Sequence, residues 1–250
     1  MSNNKTWTTQ ALTDKGFARP SSTVILLREG SDEPELFMVR RHADASFGAA
    51  YAFPGGVMDA SDSEGHEYCE GRTAAAANTA LGLESGGLNY FVAAIRELFE
   101  ETGVLLATHD VPDDELVSSQ AHLNSGSLTW NEFINEHDLR LHCDQLRYFS
   151  HWITPDELPK RYTTRFFIAE LPPGQLAHHD ERELTDSKWI TATNALRAGK
   201  NGLMTLHFPT RKTLESLAEH HSVAALLTWA SECEARGVTP TQPAKPGELP

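Results

Sequence analysis

The stretch Arg96-Glu97-Leu98-Phe99-Glu100-Glu101-Thr102-Gly103-Val104 constrains this chain more than any other, because it sets three carboxylates on one patch of one helix. Glu97, Glu100 and Glu101 stand at i, i+3 and i+4, where Cβ atoms lie roughly 5–6 Å apart on a helix surface. Three like charges there repel, costing a few tenths of a kcal/mol per pair and raising the pKa of one carboxylate. A hard divalent cation that prefers oxygen, Mg²⁺ or Mn²⁺, turns the repulsion into coordination. Arg96, four residues before Glu100, is placed to brace it by an ion pair. Phe91, Ile95, Leu98 and Thr102 recur at helical spacing. The pattern predicts a helix capped near Asn89 that buries this stripe, faces its glutamates outward and ends at Gly103.

Upstream, Phe53-Pro54-Gly55-Gly56 closes an apolar run; the two glycines let backbone approach a ligand closely and free a carbonyl for metal. Gly56 and five further residues lead to Asp62, and 33 residues then separate Asp62 from Arg96. These pieces resemble the two halves of the Nudix box, with Asp62 either at the position where the box usually has glutamate or as a solvated loop residue, and with 33 residues where the standard box has seven, an insertion of 26. Phe53-Pro54-Gly55-Gly56-Val57-Met58-Asp59 and Ala94-Ile95-Arg96-Glu97 are similar to the interrupted box of the peroxisomal coenzyme A diphosphatase subgroup. So are His151-Trp152-Ile153-Thr154-Pro155, the Arg161 to Phe167 segment and Lys188-Trp189-Ile190, which extends the resemblance from about Pro20 to Trp229.

Several expectations follow from that resemblance. The fold is an α/β Nudix-type α/β/α sandwich with a mixed sheet, a partly helical insertion within the box and added C-terminal helices. Mg²⁺ or Mn²⁺ is held by Glu97, Glu100 and Glu101 with the Gly56 carbonyl. A glutamate of a late loop, Glu181 or Glu183, supplies another ligand or the general base; the bland alternative is a plain charged loop. The chain is expected to form a homodimer.

The net charge of −14 argues against the nucleic-acid backbone and anionic membranes as partners, since neither is drawn to an acidic surface. It does not exclude a small nucleotide bound by a local cluster of arginine and metal. Cys69, Cys143 and Cys233 are odd in number and scattered, against both a disulfide framework and a zinc site, and favour a reducing cytoplasm. The polar N-terminus lacks an apolar signal core, no run approaches the ~20 apolar residues of a membrane span, and the final Gly-Glu-Leu-Pro is not a peroxisomal address.

Along the chain, residues 1–19 read as an extension and 20–236 as one catalytic domain. Strands are expected at Thr23 to Leu27, Leu36 to Arg40, Ala50 to Phe53, Tyr148 to Ile153, Arg165 to Ala169 and Lys188 to Ile190. Asp59 to Glu70 reads as a polar loop; Glu64 stands where an EF-hand needs glycine, which removes calcium from consideration there. Within the insertion, about 63–88, the alanine-rich Arg72 to Leu83 reads as a helix. Pro112 to Arg147 reads as mostly helical, with Trp130, Phe133, Ile134 and Leu139 as packing residues. Helices are expected at Ala192 to Ala198, Arg211 to His220 and Val223 to Arg236, and the proline-rich 237–250 reads as a flexible tail.

Arg40 and Arg41 end a strand ahead of the glycine turn and suit phosphate binding by charge-assisted hydrogen bonds, or a surface salt bridge. Phe53, Gly55, Arg165, Phe208 and Arg211 complete the set of substrate-contact candidates, with packing and capping as the alternative for Phe208 and Arg211. The predicted activity is hydrolysis of a diphosphate linkage in a nucleoside diphosphate derivative. The resemblance points to coenzyme A or an acyl-coenzyme A, cleaved to adenosine 3′,5′-bisphosphate and a 4′-phosphopantetheine product. ADP-ribose or NADH is the rival within the family, and a catalytically silent binding domain the rival outside it.

Overall fold

The computed structural model describes residues 17–41, 49–180 and 184–243. Its organising element is β1 (Arg19–Arg28), whose Val24, Ile25, Leu26 and Leu27 are all fully buried. A strand covered on both faces loses polar alternation and reads as a continuous apolar run. β1 pairs in parallel with β9 (Tyr162–Glu170) and antiparallel with β2 (Glu35–Arg41) near its C-terminal end and β4 (Gly55–Val57) near its N-terminal end. β10 (Leu184–Thr191) and β8 (Arg147–Ile153) extend the mixed sheet to the order β10-β2-β1-β9-β8, and β3 (Tyr51–Ala52) pairs with β2.

Side chains of β1 alternate between two cores. Val24 and Leu26 join Phe37, Val39 and Phe167 against α2 (Gly87–Thr102). Ile25 and Leu27 join Leu36, Met38, Phe166 and Ile168 against α5 (Ala192–Lys200), α6 (Phe208–Leu217) and α7 (Val223–Arg236), which contribute Ala195, Leu214, Leu217, Leu226 and Ala230. This is the expected layered arrangement of helices on both faces of a mixed sheet.

The inserted segment departs from its reading at both ends. Ala60–Tyr68 is a 3₁₀ helix and not a loop, opened by a reciprocal cap: the Asp59 side chain accepts from the Ser61 amide, and the Asp62 side chain accepts from the Asp59 amide. After β5 (Cys69–Glu70) comes α1 (Ala74–Leu81), capped by Thr73 and closed by Gly82 in the left-handed region. α2 then begins at Gly87, two residues before the predicted cap. Gly86 (φ +77°) turns the chain, and a Cβ on Gly87 would lie 2.6 Å from the Ala77 carbonyl carbon, so α1 packs directly on the first turn of α2. Asn89 instead hydrogen bonds His66 from inside the helix.

Beyond α2 lie β6 (Ala107–Thr108), α3 (Asp113–Ser125) and α4 (Trp130–Glu136). The helical reading to Arg147 fails at β7 (Arg140–His142), which joins β5 and β6 in a small second sheet. Trp130, Phe133, Ile134 and Leu139 are buried as expected, and Phe133 stacks on Phe99 of α2 with ring centres 5.2 Å apart. In the C-terminal segment expected as a tail, Thr241 forms a bridge with Trp152 through two backbone hydrogen bonds to β8. Among the described residues no helix is long and apolar enough to cross a membrane.

Candidate active site

The sequence makes α2 amphipathic: Phe91, Ile95, Leu98, Phe99 and Thr102 are fully buried, while Glu97 and Glu100 reach a partly exposed side. Arg96 sits at the junction. It is 7% exposed, and all five of its N–H donors have acceptors. Nε and Nη2 grip Asp62 at 2.8 and 3.2 Å, Nη1 donates to Glu97 at 2.8 Å and Glu100 at 3.1 Å, and Nη2 also donates to the Val57 carbonyl at 3.1 Å. One guanidinium thereby ties the strand after the glycine turn, the 3₁₀ helix of the insertion and two carboxylates of α2.

Asp62 is neither solvated nor a bare remnant of the box position: it is 0% exposed. Burial pushes its carboxyl up, and the two bonds from Arg96 pull it back down. The available signal was its place after Gly56 with five residues between them. What the sequence could not supply was its pairing with Arg96 across the insertion.

Glu101 does not face outward. It is 5% exposed and its Oε2 accepts the Gly55 amide at 2.9 Å. Gly55 stands at φ +150°, where a Cβ would meet the Ser22 carbonyl at 2.3 Å, so the turn that offers its amide to Glu101 requires glycine. At Gly56 a Cβ would fall 2.3 Å from Glu97 Oε2: the missing side chain leaves the space in which the Glu97 carboxylate lies.

The last carbonyls of a helix need partners outside it. Here they are all met. Gln120 of α3 donates to the carbonyls of Phe99 and Glu100, both at 3.0 Å, and Asn124 donates to Glu100 at 3.0 Å. The Asp180 amide donates to the Glu101 carbonyl and the His178 amide to that of Thr102. Gly103, at φ +72°, closes the helix as predicted, with His178 packed where a Cβ would point. Neither amide of α3 was singled out from the sequence. Glu181 and Glu183 lie outside the described residues.

The substrate-contact candidates separate. Arg165 is 5% exposed in β9, with its guanidinium 4.1 Å from the Tyr90 ring centre. It stands opposite Ser22 in the sheet, and Ser22 stands opposite Gly56, which puts Arg165 roughly 10 Å from the glycine turn at two strand spacings. Among the described residues no carboxylate pairs with it, and its Nε has no hydrogen-bond partner. Arg40 lies over Tyr51, 6.0 Å from the ring centre, and Phe53 is 2% exposed in the core shared with α5, α6 and α7. Phe208 packs edge-on against Trp152 with Arg211 over its ring. These four residues lie in the layer on the far side of the sheet from α2. Arg41 ends β2 opposite Leu184.

Glu100 is pushed up to about 7, first by burial and then by the Glu97 charge, against the pull of Arg96. Crowded carboxylates that resist ionising together suit a site completed by a cation. The donors are all oxygen, which matches Mg²⁺ or Mn²⁺ and not a soft ion. Among the described residues no three acidic, imidazole or thiol groups form a ready cage, because Arg96 holds Glu97 and Glu100 while the Gly55 amide holds Glu101. A divalent cation held by these carboxylates would have to compete with the Arg96 and Gly55 contacts.

Comparison with known proteins agrees with this geometry. The family model for the NUDT19 Nudix domain matches residues 75–211, over half of the chain. Acyl-coenzyme A diphosphatase NUDT19 of Xenopus laevis is 26% identical over 215 residues, which cover 68% of this chain. The chain spans about half the length of that relative, 56%. The crystal structure of a NUDIX hydrolase from Alicyclobacillus acidocaldarius superposes with a TM-score of 0.72 at 26% identity, over 85% of this chain and 96% of that one.

Proposed function

The chain belongs to the family of the NUDT19 Nudix domain, and from that premise we propose that it is a divalent-metal-dependent hydrolase of a diphosphate linkage in a nucleoside diphosphate derivative, with coenzyme A or an acyl-coenzyme A as substrate. The products are adenosine 3′,5′-bisphosphate and 4′-phosphopantetheine or its acyl form. The observation that carries the reaction class is the saturated Arg96 fork, which holds Glu97 and Glu100 beside the space left by Gly56. The substrate follows the name of the Xenopus laevis relative.

Glu97, Glu100, Glu101 and the Gly56 carbonyl would hold Mg²⁺ or Mn²⁺. Such an ion would supply charge neutralisation for the phosphate oxygens and a lowered pKa for an attacking water. Arg96 keeps two of these carboxylates in register. A glutamate of the box or of the 181–183 loop takes the proton from water. Arg165, a buried cation without a described carboxylate partner, supports an anionic substrate beside the glycine turn.

The test is product analysis by chromatography after incubation with Mg²⁺ or Mn²⁺ and, separately, coenzyme A, ADP-ribose and NADH. Adenosine 3′,5′-bisphosphate from coenzyme A alone supports the reading. AMP from the other two moves the enzyme to another specificity, and no product from any of them favours a silent binding domain.

A further inference from the structure

The box insertion does more than interrupt a motif: its helix α1 forms one wall of a groove whose other wall is the end of α7. The groove encloses about 780 Å³, within the range of small-molecule sites. Ala75, Ala76 and Ala80 give it an apolar side, and Arg72, Arg147 and Arg236 line it with positive charge. Three arginines around one concavity are conspicuous on a chain of net charge −14.

The charges do not cancel within the groove. Glu234 is committed to Arg72, at 2.8 Å, and to the amide of Tyr148, at 3.0 Å. Arg72 is 10% exposed at its side chain, and its Nε is buried without a hydrogen-bond partner. The Arg72 guanidinium also lies over the Phe91 ring, 4.5 Å from its centre, which fixes it beside α2. Neither Arg147 nor Arg236 pairs with a carboxylate among the described residues; Arg236 donates only to the Cys233 sulfur, at 3.4 Å. Asp144, exposed at the rim, is the remaining acid of the lining.

We propose that this groove binds a phosphorylated small molecule, its phosphoryl group taken by Arg147 and Arg236 beside Arg72 and its less polar portion lying on the alanine face of α1. Guanidinium groups suit phosphoryl oxygens because their paired N–H donors match them bidentately. The concave shape and open mouth suit a small molecule better than a protein surface. The site is separate from the Arg96 cluster and does not depend on the hydrolase reading. Because α1 packs on the first turn of α2 at Gly87, occupancy would also steady the helix that carries the glutamates.

The experiment is calorimetric titration of the full chain in a chelator-containing buffer of fixed ionic strength, with inorganic phosphate and adenosine 3′,5′-bisphosphate as separate probes. Saturable binding to the unaltered protein and to Glu101→Gln, weakened at least tenfold by Arg147→Ala/Arg236→Ala and by the groove-filling Ala76→Trp, supports the site. Binding by inorganic phosphate as tightly as by the nucleotide assigns the groove to the free anion; tighter binding of the nucleotide assigns it to a phosphorylated metabolite. Absence of saturable binding, unchanged binding in the arginine and tryptophan variants, or loss only in Glu101→Gln overturns the proposal. Hydrolysis with Mg²⁺ is expected to survive in Arg147→Ala/Arg236→Ala, so failure here stays distinct from failure of the proposed activity.

Discussion

Replacing Asp62 by alanine removes both bonds that fix the inner side of Arg96 and leaves a guanidinium 7% exposed with two fewer acceptors. Breaking a buried ion pair from one side costs about 3–5 kcal/mol, because the remaining charge stays buried. Arg96 keeps Glu97, Glu100 and the Val57 carbonyl, which places the expected cost near the lower end, about 3 kcal/mol. The cap on the Asp59 amide is lost as well, adding about 1 kcal/mol. For a domain of this size each kcal/mol moves Tm by roughly 2–4 °C, so Asp62→Ala should melt roughly 8–16 °C lower. Asp62→Asn, which keeps an acceptor of the same shape but loses the charge, should fall between. Thermal unfolding followed by circular dichroism, with urea titration for the free energy, measures both. A drop in Tm under about 2 °C for Asp62→Ala would refute the claim that this ion pair fastens the insertion to the catalytic helix.

Three further outcomes are expected. In Gly56→Ala the new Cβ would fall on the Glu97 carboxylate, which must leave its place, and turnover should fall about 100-fold; unchanged turnover would contradict the placement of Glu97. His151, buried beside Arg165, is lowered from 6.5 to about 4, so the unfolded chain binds its proton first and stability falls as pH drops from 6.5 toward 4. That contribution is about 3 kcal/mol, and stability curves against pH should be flatter for His151→Asn than for the unaltered protein; a steeper curve would reverse the assignment. Chelation should abolish hydrolysis, and Mg²⁺ or Mn²⁺ should restore it while Ca²⁺ does so poorly, as a metal-dependence assay will show; activity surviving chelator would remove the metal from the mechanism.

What was legible in the sequence was local. The stripe of Phe91, Ile95, Leu98 and Thr102 and the Gly103 stop are set by helical period and backbone conformation, and each is found in α2. The two-sided burial of β1 shows in Val24 to Leu27 as an unbroken apolar run. The parts that were not legible depend on residues far apart in sequence. Asp62 becomes a buried partner only because the insertion folds back as a 3₁₀ helix against Arg96, and Glu101 turns inward only because the Gly55 amide is there to meet it. Gln120 and Asn124 carry no motif; their role follows from where α3 crosses the end of α2. Arg40, Phe53, Phe208 and Arg211 had a suitable chemistry, but strand register and helix packing put them in the other layer.

The measurement that bears most directly on the proposed activity is turnover of coenzyme A by Glu101→Gln beside the unaltered protein, at saturating Mg²⁺. Glutamine retains an oxygen that can accept from the Gly55 amide, so the fold and Tm should be preserved. The account predicts a loss of turnover by orders of magnitude with an unchanged circular dichroism spectrum. Near-normal turnover in a folded Glu101→Gln protein would contradict it.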